Sequence, residues 1–164
     1  MRNKELSEKI KDARREQILS KALLLFASKG LAATKITDIS SVLGISPGLI
    51  YHYFKSKEEI FTELIRSSFE KMNAACHGLE RLPIPANEKI KLAIEELLRG
   101  FKENEDAARY HLLIAQATVS EAIPQDARAI ITKENVVPYE VITRIIIEGQ
   151  KEGSIKKYDA KDLA

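Results

Sequence analysis

Tryptophan is absent from the 164 residues, and there is a single cysteine, Cys76. One thiol permits no intrachain disulfide, so nothing asks for an oxidising compartment and the expected location is the cytoplasm. Proline (5) and glycine (7) are scarce, and neither a Gly/Ser linker nor an internal repeat occurs. No apolar run approaches the roughly 18–20 residues needed to span a bilayer. Met1–Lys11 is charged where a secretory signal carries its apolar core, so no membrane partner is expected. A strong charge of one sign is missing as well, since 26 Lys/Arg oppose 24 Asp/Glu for a net +2.

Residues that carry chemistry are equally sparse. The three histidines and one cysteine are scattered, no glycine-rich phosphate loop follows a strand, and no Glu/Asp–His metal spacing occurs. His77 follows Cys76 directly, and adjacent helical residues do not share a face, so the two make a poor metal pair. The sequence offers no catalytic residue, metal site or cofactor, and an enzyme is not expected.

What is present is a globular composition, 45% hydrophobic and 30% charged. The net charge hides an asymmetry: residues 1–60 hold 11 Lys/Arg against 7 Asp/Glu, a net +4, and residues 61–164 hold 15 against 17, a net −2. A modest basic excess in the first third suits a phosphate-bearing partner. No segment alternates at period two, so the chain is expected to be all-α. Residues 1–12 are highly charged and expected to be frayed, or helical only in context. Ile18, Ala22, Leu25 and Phe26, broadened by Leu19, Leu23 and Leu24, put an apolar stripe on a helix over 13–29 that Gly30 ends.

The most informative stretch is Thr37–Lys57. Gly44 follows Val42 and Leu43, where a left-handed residue would end a short helix. Ser46 can cap the next, with Pro47 at its first position, where a missing N–H costs nothing. That second helix ends in Tyr51-His52-Tyr53-Phe54, and Ser56-Lys57-Glu58-Glu59 reads as a capping box for a long fourth helix. Two helices joined by a glycine turn, the second closing in aromatic and basic residues, make a helix-turn-helix over about 35–54. Ile36, Ile39, Leu43, Ile45, Ile50 and Phe54 would fill its core.

Ala33-Thr34, Ile36, Asp38-Ile39, Gly44-Ile45-Ser46, Gly48, Ile50-Tyr51, Tyr53-Phe54 and Ser56-Lys57-Glu58 stand at fixed spacing, and over about 15–65 the chain resembles the DNA-binding domain of TetR-family transcriptional regulators. Two positions depart from the family pattern. Lys35 stands where a Ser or Thr often starts the second helix, which leaves Thr34 as the expected cap, and Tyr53 replaces a frequent His. The resemblance implies that Ser46, Pro47, Gly48 and Leu49 face the major groove. Pro47 and Leu49 offer no side-chain hydrogen bonds, so Thr37 and groove shape are expected to carry part of the specificity. Tyr51, His52, Tyr53 and Lys57 are the expected phosphate contacts, and Thr34 completes the DNA-binding set.

Beyond the fourth helix, which reaches about Cys76, Gly78 and Pro83-Ile84-Pro85 break the pattern. Helices are expected over 86–101 with Asn87 as cap, over 105–122, and over 125–152 with a break near Val137 caused by Pro138. Asp159–Leu163 opens one more. The expected division is a DNA-binding domain over 1–57 and a helical regulatory domain over 58–164. By the usual rule for helical proteins the second should enclose a small-molecule pocket, with Phe69, Met72, Cys76, Phe101, Tyr110, His111, Gln116 and Tyr139 as candidate liners. The resemblance implies a repressor of double-stranded DNA, a homodimer on a palindromic operator, released by a small-molecule effector. It also implies further C-terminal helices that pair two subunits; these are largely missing before Ala164, so either the sequence is truncated or dimerisation is built differently. Two other readings stand beside it: an architectural or cell-division DNA-binding protein without effector, and a small-molecule-binding helical protein whose helix-turn-helix is vestigial.

Overall fold

The computed structural model describes residues 2–159, and among them every regular element is a helix: α1 (Arg2–Ala33), α2 (Ile36–Leu43), α3 (Pro47–Tyr51), α4 (Lys57–Glu80), α5 (Ala86–Glu103), α6 (Glu105–Val119), α7 (Gln125–Glu134) and α8 (Val136–Glu152). The all-α expectation holds. The helix expected from Asp159–Leu163 lies outside the described residues after Asp159. Among the described residues no helix is long and apolar enough to cross a membrane.

α1 begins earlier than its apolar stripe requires, and the added turns bury little, since Leu6 and Ile10 lie exposed. Gly30 breaks its backbone with φ 78°, a left-handed value that suits a residue without Cβ. The chain then takes one more turn to Ala33 before α2. Gly44 ends α2 in the left-handed region (φ 64°), and Gly153 ends α8 likewise (φ 83°). Both stops were legible in the sequence.

The caps are partly as expected. Ser46 Oγ accepts the Leu49 amide at 3.3 Å, with Pro47 opening α3. Ser56 Oγ accepts the Glu59 amide at 3.2 Å, but the Glu59 carboxylate returns to the Lys55 amide at 2.5 Å and not to Ser56, so the box is offset by one residue. Thr34 does not cap α2. Its hydroxyl donates back to the Gly30 carbonyl at 2.7 Å, and the cap position falls to Lys35. A lysine has no acceptor to offer, so only the return half forms, the Asp38 carboxylate accepting the Lys35 amide at 3.0 Å. Asn87 does not cap α5 either. Pro85 holds that position, and the Glu152 carboxylate from the end of α8 accepts the Ala86 amide at 2.8 Å. α6 is capped by Asn104 and ends at Val119, three residues short of expectation. The break between α7 and α8 falls at Asn135, which leaves Pro138 inside the first turn of α8, where its missing N–H disrupts nothing.

One apolar cluster runs through the molecule. Ile18, Leu19, Ala22, Leu23 and Phe26 of α1 meet Ile36, Ile39, Ile50 and Phe54 of the helix-turn-helix, Ile60 to Phe69 of α4, Leu113 and Ala117 of α6, and Ala127 and Ile131 of α7. A smaller one gathers Ala86, Val141 and Ile145, with Cys76 and Leu79 packed against it. α4 therefore serves two cores, as its pattern suggested, but Cys76 and Leu79 reach the second, while Phe69 and Met72 stay in the first.

Candidate nucleic-acid interface

The recognition element is α3, five residues long, held between the glycine turn and α4. Ile50 and Phe54 sink into the core from its inner side and fix its roll. Ser46, Pro47 and Gly48 are thereby left exposed at its start, and Leu49 is half-buried. An added Cβ at Gly48 would meet nothing nearer than Ser46 Oγ at 3.9 Å, so the surface there is open. Tyr51 is 55% exposed and His52 is exposed, its ring edge-on to Tyr53 with centroids 5.4 Å apart. Tyr53 is partly buried and packs against the core.

Behind α3, a groove of about 420 Å³ opens between the starts of α2 and α4, lined by Thr37, Tyr51, Lys35, Lys55, Ser56 and Glu58 among others. Two helix N-termini converge there, each presenting amides with a partial positive charge. Lys35 and Lys55 are exposed at its edges. The sequence reading overlooked both: Lys35 was noted only as a departure at the cap position, and Lys55 was given no role. The signal was available: a lysine immediately ahead of each helix start.

Thr34 and Lys57 do not fit the roles expected of them. Thr34 is 0% exposed and its hydroxyl is bonded to the Gly30 carbonyl, so its side chain is not presented at the surface. The Lys57 ammonium is turned inward, donating to the carbonyls of Leu31, Ala32 and Thr34. Lys29 reaches the Asp38 carboxylate at 2.8 Å and holds that carboxyl below the usual range.

The platform is braced from α1. The Arg15 guanidinium lies 4.6 Å from the centre of the Phe54 ring and donates to Glu63 of α4 at 2.7 Å. That hydrogen bond lowers the Glu63 carboxyl below its ordinary value against the opposing effect of burial. Three elements are so joined at the exit of the recognition helix.

The eight residues expected to line a pocket in the second domain are not brought together. Phe69 is core, Met72 and Tyr110 pack on its edge, and Cys76 belongs to the second cluster. Gln116 donates to the Ala27 carbonyl of α1 at 3.2 Å. Phe101 and His111 are exposed and lie against each other, centroids 5.0 Å apart. Of the eight, only Tyr139 borders a groove of about 560 Å³ between α6, α7 and the start of α8, where Ala117, Ile123, Ile131, Arg128 and Thr132 are neighbours. Phe69, Met72, Cys76 and Tyr110 serve packing, and apolar periodicity alone does not separate a packed face from a pocket wall.

A short exposed helix reached through a glycine turn and rolled outward by buried Ile50 and Phe54, with lysines ahead of the flanking helices, defines a helix-turn-helix DNA-binding protein. Residues 18–64 match the family described as bacterial regulatory proteins, tetR family. The chain is 28% identical over 154 residues to the HTH-type transcriptional repressor KstR2 of Rhodococcus jostii, covering 94% of this chain and 74% of that protein. Among solved structures it resembles a TetR/AcrR-family regulator of Thermobifida fusca (27% identity, TM-score 0.64, 92% of this chain and 77% of that one). It shares its fold with FadR of Bacillus subtilis in complex with stearoyl-CoA (22% identity, TM-score 0.64, 89% and 76%). Residues 18–64 thus carry the DNA-binding segment of the tetR family, and the chain as a whole is similar to that family's transcriptional regulators. Neither the architectural nor the vestigial reading is favoured by these relatives.

Proposed function

We propose that this regulator is a repressor that grips a palindromic operator as a homodimer and is released from it by a small-molecule effector. On this reading residues 1–57 read DNA, residues 58–164 sense the effector, and the protein works in the cytoplasm. Ser46, Pro47, Gly48 and Leu49 approach base edges, with Thr37 beside them, while Tyr51, His52, Lys35 and Lys55 face phosphates; Tyr53 supports its neighbours from the core side. The exposure of α3 between two lysine-flanked helix starts is the observation that carries the reading.

Effector release draws support from the fold neighbour that holds stearoyl-CoA. The 560 Å³ groove is the seat we assign to the effector, with an apolar floor of Ala117, Ile123 and Ile131 and a polar rim of Thr118, Arg128 and Thr132. One of its walls, Ala117 and Thr118, belongs to α6, which packs on α1, so a ligand there acts close to the DNA-binding unit. Selection of bound DNA from a random pool by the whole protein tests the first claim: a palindrome with half-sites one helical turn apart, about 34–36 Å, is the expected product, and recovery of no enriched sequence refutes it. An effector must then weaken operator binding by the factor by which operator weakens effector binding. Operator affinity unchanged at saturating effector refutes release and leaves DNA binding standing.

A further inference from the structure

Lys57 opens α4 half-buried at the 420 Å³ groove, and its ammonium is engaged by main-chain acceptors. Nζ donates to the carbonyl oxygens of Leu31 (2.8 Å), Ala32 (3.2 Å) and Thr34 (2.8 Å). An ammonium has three N–H donors and no acceptor, so three carbonyls exhaust it. These carbonyls belong to the last turn of α1 and the residue just past it, where a helix leaves acceptors unpaired and concentrates negative potential. α1 carries no basic residue in its own last turn. The cation that answers it comes from 23 to 26 residues downstream.

We infer that Lys57 is a positioning residue for DNA binding and not a phosphate contact: it closes the helix-turn-helix into a loop fastened at its base. Everything between Thr34 and Lys57 is α2, the glycine turn and α3. With the fastening made, the start of α2 and the start of α4 hold a fixed separation across the groove that Tyr51, Lys35 and Lys55 line. Two further contacts hold the same base, Thr34 Oγ1 on the Gly30 carbonyl at 2.7 Å and Lys29 on Asp38 at 2.8 Å. A phosphate could recruit Lys57 only by taking a donor from a carbonyl that has no other cation at hand. The inference rests on the DNA-binding reading above, and the experiment separates the two.

Affinity of the whole protein for its selected operator is measured between 50 and 300 mM KCl, well below the melting temperature, for wild type, Lys57→Met, Lys57→Arg and Lys55→Met. A lost phosphate contact lowers the slope of log K against log salt by about one. Lys55→Met is expected to show that change. Lys57→Met is expected to keep the wild-type slope while operator affinity falls about tenfold or more at every salt concentration, with binding to random-sequence DNA within about twofold of wild type. Loss of the specific-to-random ratio is a readout that reduced stability alone does not move, because only folded protein is titrated. Lys57→Arg keeps the charge and can serve a phosphate at least as well, but its planar fork cannot match three converging carbonyls, so it too is expected to lose operator affinity. A slope reduced by one in Lys57→Met, or full affinity in Lys57→Arg, overturns the inference. If Lys57→Met does not fold, Lys57→Arg decides alone. Absence of any wild-type binding would instead remove the DNA-binding reading.

Discussion

Leu113 lies on α6, outside the helix-turn-helix by sequence, yet it is buried in the same cluster as Ile18, Phe26, Ile39 and Ile50. Replacing it by alanine removes three carbons from a site whose walls come from separate helices and cannot collapse freely. Leucine-to-alanine changes of this kind cost about 2–5 kcal/mol, a large share of the roughly 5–15 kcal/mol that holds a domain folded. If the cluster is one cooperative unit, the loss is felt equally at α2 and α3. At about 1.4 kcal/mol per factor of ten, amide exchange at the most protected sites should quicken roughly 30-fold to several-thousand-fold. The assay is hydrogen exchange on wild type and Leu113→Ala, comparing amides of α2, α3 and α8. Leu97→Ala, on the exposed face of α5, is the control and should change stability by no more than about 0.5 kcal/mol. Faster exchange confined to α6–α8, with α2 and α3 untouched, would show that the DNA-binding unit folds on its own and would sink the single-core reading.

Two other outcomes follow from close packing and from charge. A Cβ added at Gly149 would stand 2.6 Å from Ile155 Cδ1 and 2.9 Å from the Ala86 methyl, so Gly149→Ala must push the 155 loop and the start of α5 away from α8. We expect a loss of about 1–3 kcal/mol, seen calorimetrically as a melting temperature lower by roughly 2–12 °C, and an unchanged melting point would refute the contact. The Asp38 carboxyl is held low first by the Lys29 hydrogen bond and then by the Lys35 amide. A depressed folded-state value stabilises the start of α2 above the unfolded value, about 3.9, and that support fades as pH falls through the folded value. Carbon-detected NMR titration should find Asp38 ionising below 3.9, and Asp38→Asn should remove the acid-induced fraying of α2; titration at or above that value counts against the bond.

The helix-turn-helix was legible because its information is local. Gly44, Ser46 and Pro47 each set a backbone conformation within a few residues, and the structure keeps all three. Thr34 and Lys57 misled because a threonine beside a helix start resembles a cap and a lysine there resembles an anion ligand, whereas Thr34 turns back four residues to Gly30 and Lys57 reaches 23 to 26 residues upstream. Only the kink at Gly30, which swings the Leu31–Thr34 carbonyls toward α4, shows where both side chains go. The α5 stripe illustrates a different limit. Ile94, Leu97, Leu98 and Phe101 have the spacing of a buried face and are between 45% and 62% exposed. Periodicity states that a face is apolar and says nothing of what lies against it. Phe69 and Gln116 were named as pocket liners by residue type, while the partners the structure gives them, the shared core and the Ala27 carbonyl, include groups far away in sequence.

Fastening at both ends makes α4 suited to carrying a signal. Lys57 ties its start to α1, and at its far end Lys89, 4% exposed, donates to the Glu80 carbonyl at 2.9 Å while Arg144 of α8 clasps the Glu80 carboxylate at 2.6 Å. Among its 24 residues the only glycine is Gly78, two residues from the end, and there is no proline, so the shaft between the clasps lacks the usual causes of a kink. Such a helix is about 36 Å long. A tilt of only 5° about the Glu80 end therefore moves the Lys57 end by about 3 Å. That displacement is comparable to the hydrogen-bond lengths by which a recognition helix grips its groove. Because the carbonyls of Leu31, Ala32 and Thr34 travel with Lys57, the base of the helix-turn-helix moves as one piece, and in the homodimer we propose two such bases would lose the one-turn spacing of their half-sites together.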